Sequence, residues 1–302
     1  MARAQTQSLA IPSAGIFIAG FFWGLFWIPM RAFTTAGLPG AWPTLVVFGS
    51  CALILLPLVA LRRRPLRIHW QPLLWTSVFA GASISLYATS LLLTDVARTI
   101  LLFYMTPMWS TLIGLIWLGE RLTLARGASL ILGLLGLMIV FGLGAQFPWP
   151  ENLGDWMALT AGLLWAIAML GLFDTSSEVV IEHILAFCIG AAILTLAAIA
   201  ILDLGPAPDI SLSKVATFWP HALFAGCYLI PMFYLTIWPG TILSPARIGI
   251  LLMGEVVVGT VSAAIWAGEP FGWRVAIGAV VIVSAALVEV LARPPQASKS
   301  RH

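Results

Sequence analysis

Charge is what this sequence has least of. Only 9% of its 302 residues are Asp, Glu, Lys or Arg, against roughly a quarter in a water-soluble domain. So few charges cannot cover an aqueous surface. Cysteine is also scarce: Cys51, Cys188 and Cys227 are odd in number, and none has a second cysteine at metal-ligand spacing. A disulfide framework and a zinc site are therefore not expected. His69, His183 and His221 fall near the ends of apolar stretches and His302 is the last residue. The sequence has no His-Glu-x-x-His motif, no Gly-x-Ser-x-Gly elbow and no Walker-type phosphate loop. These absences predict that the chain is not an enzyme, holds no metal and no cofactor, and does not itself hydrolyse ATP.

What is present is apolar. Hydrophobic residues make up 61% of the chain and mean hydropathy is +1.02. A hydrocarbon core of about 30 Å needs about 20 apolar residues per helical crossing. Apolar windows between breakers predict helices near 14–33, 41–61, 70–93, 97–118, 125–143, 155–173, 183–203, 215–238, 245–267 and 273–292. The breakers are physical: Gly37-Leu38-Pro39-Gly40, the charged run Arg62 to Pro65, Pro148-Trp149-Pro150 and Gly205-Pro206-Ala207-Pro208. The first stretch is too long for a signal-peptide core and reads as a retained helix. The expected fold class is an all-α membrane protein of ten transmembrane helices.

Lys and Arg placement orients it. With the N-terminus inside, Arg3, Arg62, Arg63, Arg64, Arg67, Arg121, Arg126, Arg247, Arg293, Lys299 and Arg301 fall on the cytoplasmic side, leaving Arg31, Arg98, Lys214 and Arg274 outside. Both termini are then cytoplasmic, in a multi-pass protein of the cell inner membrane. The basic residues serve topology, so no nucleic acid is expected as a partner. The expected partners are the lipid bilayer and a small-molecule substrate, with the chain working as a monomer.

Two halves resemble each other. Leu118-Gly119-Glu120 and Ala267-Gly268-Glu269 close the fourth and ninth helices 149 positions apart, and Ala97-Arg98 and Ala246-Arg247 open them at the same offset. Ala19-Gly20-Phe21-Phe22-Trp23 pairs with Ala161-Gly162-Leu163-Leu164-Trp165, and Phe79-Ala80-Gly81 with Phe224-Ala225-Gly226. Each half holds five helices, so the second is expected upside down relative to the first: inverted repeats at 14–145 and 154–292, then a basic cytoplasmic tail at 293–302. Two such halves can exchange conformations and open a central site to either side.

The Gly-Glu steps, the Gly-rich helices after them and Tyr104-Met105-Thr106-Pro107 inside the fourth helix resemble the EamA type of the drug/metabolite transporter superfamily. That resemblance covers 14 to 292. It implies ten helices, a central cavity, and export of amino acids or other small metabolites. The fourth helix lacks the Asn-Tyr-Leu-Trp-Pro run of aromatic amino-acid exporters, having Phe103-Tyr104-Met105-Thr106-Pro107 instead. The expected function is a secondary transporter that exports such solutes by alternating access, driven by proton antiport or by facilitated diffusion. A drug or cation efflux carrier is the alternative. A non-transporting membrane assembly protein would need neither a repeat nor a buried Glu.

Glu255 is the sharpest candidate for the solute-coupling group. It lies halfway along the ninth span, where a carboxylate costs about 3 kcal/mol or more, so it faces a wet cavity, meets a cation or carries a proton. A protonated Glu acting as glue between helices is the bland alternative. Trp23, Tyr87, Tyr104, Trp109, Trp165 and Tyr228 are candidate cavity walls, offering ring faces to a cationic or apolar solute, with plain packing the alternative. Asp95, Arg98 and Arg247 are gate or helix-end candidates, and Glu120 and Glu269 hinge or cap candidates. Pro29, Pro57, Pro107 and Pro231 lie inside spans, where proline bends a helix or frees a carbonyl.

Overall fold

In a computed structural model, residues 9–62, 70–94, 96–119, 122–141, 150–172, 179–208, 211–266 and 272–291 are described. Asp95, Glu120, Glu269, the 293–302 tail and the side chain of Arg98 lie outside the described residues. All regular structure among the described residues is helical, in ten successive helical segments. These are α1 (Ala10–Thr35), α2 (Trp42–Leu61), α3 (Trp70–Leu93), α4 (Val96–Phe103 and Thr106–Trp117), α5 (Leu124–Phe141), α6 (Leu153–Leu172), α7 (Val180–Leu202), α8 (Leu212–Gly240), α9 (Pro245–Trp266) and α10 (Trp273–Leu291). Seven of them are long and apolar enough to cross a membrane, and α5 and α10 are apolar over shorter stretches. Leu53, Ile131, Ile193 and Val280, each midway along its helix, are 60% or more exposed. Large apolar side chains at mid-helix facing outward are what lipid, not water, accommodates.

Helix pairing follows where small residues allow close approach. α1 packs on α8 and α9, α6 on α3 and α4, α2 on α7 and α8, α3 on α7, α4 on α9, and α5 on α10. At the α1–α9 crossing a Cβ on Gly24 would lie 2.7 Å from the Glu255 carbonyl oxygen and from Val258 Cβ. Only glycine permits that approach. The main core is aromatic: Trp23, Phe26, Phe48, Trp165, Phe187 and Phe233 are all buried in one cluster. A second core, of Tyr104, Leu137, Met253, Val256 and Ile282, fastens the α5–α10 pair to α4 and α9.

Three spans are broken near mid-membrane, which their hydropathy conceals. α1 breaks at Phe26, between Ala10–Leu25 and Trp27–Thr35. Pro29, three residues on, has no N–H to continue the ladder, and Phe26 N–H donates to Trp23 O at 3.1 Å. α4 breaks at Tyr104-Met105, before Pro107. α9 breaks at Met253, between Pro245–Leu252 and Gly254–Trp266, with Val256 N–H donating to Met253 O at 3.1 Å. Pro57 and Pro231 sit inside helices that stay continuous.

The helix ends are tied in pairs. Asp155, fully buried in the first turn of α6, accepts the Thr94 hydroxyl at 2.8 Å and the Glu151 N–H at 3.0 Å, joining the end of α3 to the start of α6. Arg62 after α2 meets Glu182 at the start of α7 at 3.7 Å. At the next residue of α7, His183 Nδ1 and the Thr76 hydroxyl of α3 share a hydrogen bond of 2.8 Å. The loop before α2 meets the residues after α7 through Ala41 N–H, which donates to Leu204 O at 3.0 Å.

Candidate functional site

The break in α9 decides where Glu255 stands. Because the helix restarts at Gly254, Glu255 falls in the first turn of the second piece, where the positive end of the helix dipole faces its carboxylate. It is 6% exposed. The Tyr87 hydroxyl of α3 donates to its Oε1 at 3.3 Å, and Tyr104 of α4 and Tyr228 of α8 face the same carboxylate. Three of the four tyrosines in the chain thus converge on one acid from three helices. α1 closes the fourth side, since a Cβ on Gly20 would lie 3.3 Å from the Glu255 nitrogen.

The same tyrosines satisfy the backbone that the breaks disturb. The Tyr104 hydroxyl donates to Leu252 O at 3.1 Å, at the α9 break. The Tyr228 hydroxyl donates to Phe22 O, one turn before the α1 break. In α4, Pro107 cannot donate to Phe103 O, and the Thr106 hydroxyl does so instead at 2.5 Å. In a membrane interior each such carbonyl must find a donor. Here hydroxyl groups supply it, and they do so around the carboxylate.

The tryptophan candidates are placed unequally. Trp23 and Trp165 meet edge to face, ring centroids 5.8 Å apart, inside the aromatic core. Trp23 Nε1 donates to Thr236 of α8 at 3.0 Å, whereas Trp165 Nε1, equally buried, has no hydrogen-bond partner. Trp109 is half-buried on the second piece of α4, its Nε1 also without a partner. Arg247, buried in the first turn of α9, donates from Nε to Ser13 Oγ of α1 at 3.2 Å. Sequence reasoning did not single out Ser13, Asp155 or Thr236, and Thr106 stood only as one letter of the Tyr104-Met105-Thr106-Pro107 run. Hydroxyl residues are common in membrane helices, and only Asp155, a charge beside a predicted helix start, left a signal that could have been used.

Among described residues no group of three or more His, Cys, Asp or Glu side chains could hold a metal ion. What the arrangement offers is a single carboxylate, hydroxyl donors and aromatic faces, buried at mid-span among helices that are already broken.

Comparison with known proteins bears on the fold and on the first half of the chain. A crystal structure described only as that of a protein superimposes with a TM-score of 0.70, covering 93% of this chain and 98% of its own at 19% identity. A likeness at that identity carries the fold alone. No curated protein matches the chain. Residues 11–142, the first five helices, match the model of the EamA-like transporter family, consistent with the drug/metabolite transporter superfamily.

Proposed function

We propose that the protein is a secondary transporter that exports amino acids or similar small amine-bearing metabolites across the inner membrane by alternating access between two inverted five-helix repeats. The observation that carries this reading is the Glu255 carboxylate, buried at a mid-span helix break with the Tyr87 hydroxyl donating to it. Glu255 meets the ammonium group of the solute or, in its absence, a proton. Trp23, Tyr87, Tyr104, Trp109, Trp165 and Tyr228 then serve as cavity walls, with the Trp165 Nε1 donor left for a solute acceptor.

Packing supports the repeat. Exchanging α1 with α6, α2 with α7, α3 with α8, α4 with α9 and α5 with α10 maps the helix pairs onto one another: α1–α9 becomes α6–α4, α1–α8 becomes α6–α3, and α2–α8 becomes α7–α3. The breaks in α4 and α9 share the 149-residue offset of the sequence matches. At that offset Phe103 corresponds to Leu252, the two carbonyls that accept hydroxyl groups, and Thr106 corresponds to Glu255. Gly20 approaches Glu255 as Gly162 approaches Thr106. The halves differ where function is concentrated: one copy of the position is a hydroxyl, the other a carboxylate. Arg247, with Arg98 as its counterpart, acts as a gate residue at the end of its helix, where a change of partner accompanies opening. The cytoplasmic placement of both termini rests on the distribution of Lys and Arg.

The test is counterflow in liposomes carrying the purified protein. Saturable exchange of an amine-bearing solute is expected, accelerated by an opposing pH gradient if protons are exchanged and indifferent to it if diffusion is facilitated. Absence of saturable flux for every amine-bearing solute tried would sink the reading.

A further inference from the structure

An acid that couples transport must exchange its proton with water, yet Glu255 lies at mid-span and is 6% exposed. One face of α3 carries a line of hydroxyl groups past it. Ser83, Tyr87, Ser90 and Thr94 recur at the spacing of a single helix face, and the first three are buried. The Tyr87 hydroxyl donates to Glu255 Oε1 at 3.3 Å. Seven residues on, about 10 Å along the helix, the Thr94 hydroxyl donates to Asp155 Oδ1 at 2.8 Å. Ser90 stands between them, its hydroxyl on Tyr87 O at 2.7 Å. The line thus ends on two carboxylates, one at mid-span and one in the first turn of α6.

The gaps in this line are the width of a water molecule. Residues three or four apart on a helix face hold their Cβ atoms about 5–6 Å from each other, too far for hydroxyls to meet directly and near enough for one bridging water. The seam beside Ser90 has the polar lining that an ordered water needs. Thr89 of α3 and Thr99 of α4 are 1% and 0% exposed, and neither hydroxyl has a hydrogen-bond partner among the described residues. By residue count from the turn between α3 and α4, both lie at about the level of Ser90. Buried hydroxyls that protein leaves unpaired are where internal water is held. The opposite half has no such line. Counted from the paired Gly81 and Gly226, the positions of α8 that match Tyr87, Ser90 and Thr94 are Met232, Leu235 and Pro239, none with a hydroxyl. Thr236, next along α8, is engaged by Trp23 Nε1 and Met232 O.

Resting on the reading of Glu255 as the acid that holds solute and proton in turn, we infer that Tyr87, Ser90, Thr94 and Asp155 form a proton relay between Glu255 and the end where α6 begins, the outer end on the Lys and Arg distribution. A proton taken up by Asp155 passes to Thr94 as Thr94 gives its own to the next oxygen, and so through Ser90 and Tyr87 to the Glu255 carboxylate. Each hydroxyl and water accepts one proton and releases one. The protonated Glu255 has no charge to hold an ammonium group, so the solute leaves as the proton arrives. The other groups facing the two acids are few. α4 and α8 bring Tyr104 and Tyr228 to Glu255, α1 faces it with Gly20, and α10 carries its charges, Arg274 and Glu289, near its ends. At Asp155, α3 has no charged residue to bring, Glu151 precedes it in the chain, and Arg98 lies in the first turn of α4.

The test is the rate at which Glu255 takes a proton after a pH jump, read by time-resolved infrared absorption of its carboxyl group in the full-length protein in detergent. The signal of interest is the one that Glu255→Gln removes. Ser90→Ala and Thr94→Val are expected to slow that rate by roughly tenfold or more, because each forfeits a positioned proton transfer, with melting profiles that show both fold. Ser90→Thr, which keeps a hydroxyl, is expected to keep the unaltered rate. An unchanged rate in either Ser90→Ala or Thr94→Val, an equal slowing in Ser90→Thr, or no Glu255 signal at any pH would each overturn the inference. Flux of 3-methylbutylamine in liposomes separates the two readings. Saturable flux that needs Glu255, with protonation indifferent to Ser90 and Thr94, would overturn the relay and leave the transporter standing. Slowed protonation in both variants with no saturable flux would support the relay and count against transport.

Discussion

Hydroxyl groups are the working parts of this interior at the scale of the residue. A buried carboxylate and three disturbed carbonyls sit at mid-span, and Tyr87, Tyr104, Tyr228 and Thr106 supply their donors. Leaving a buried acceptor unsatisfied costs about 1–3 kcal/mol. Tyr104→Phe keeps the ring and removes the donor to Leu252 O, so it is expected to destabilise the protein by that amount, read as a lowered midpoint in thermal unfolding in detergent. An unchanged midpoint would mean that Leu252 O finds another donor. Glu255 was conspicuous in the sequence because a charge inside an apolar run has few bland explanations. Its partners were legible only as candidates: Tyr87 and Tyr228 are 141 residues apart, and nothing local says that both turn to the same acid. Thr236, which receives the Trp23 donor, left no trace against the many other hydroxyls of the spans.

Elements were read from hydropathy with fair success in number and extent, since each needs about 20 apolar residues whatever its sequence. Their continuity was not legible. Hydropathy averages over a window and cannot register that α1, α4 and α9 are each two pieces. Pro29 and Pro107 pointed to two of the breaks, but Pro57 and Pro231 sit in continuous helices, so proline alone does not decide. The α9 break has no proline within it, and its Leu252 O accepts the Tyr104 hydroxyl of another helix. Close crossing is the second property of elements here. Gly24→Val would drive a side chain into the Glu255 carbonyl and Val258, and overpacking of this kind typically costs about 1–3 kcal/mol. The expected outcome is a lower melting midpoint together with weakened solute binding, because the α1–α9 contact holds the segment that carries Glu255. Full binding in Gly24→Val would show that this crossing does not position the acid.

At the scale of the whole molecule, the helix-packing pairs of the first five helices exchange onto those of the last five, and the family match falls on the first five, residues 11–142. Repeat matches such as Gly20 with Gly162 and Trp23 with Trp165 were visible in the sequence because packing glycines and core tryptophans leave identical letters. The functional difference was not, since Thr106 and Glu255 share a position but no chemistry. On the proposed repeat, the asymmetry between the halves at this position falls on a single side chain. Counterflow of 3-methylbutylamine in liposomes, compared between the unaltered protein and Glu255→Gln reconstituted in equal amount, tests that claim most directly. The account predicts saturable flux in the first and none above protein-free liposomes in the second. Equal flux in both would contradict it.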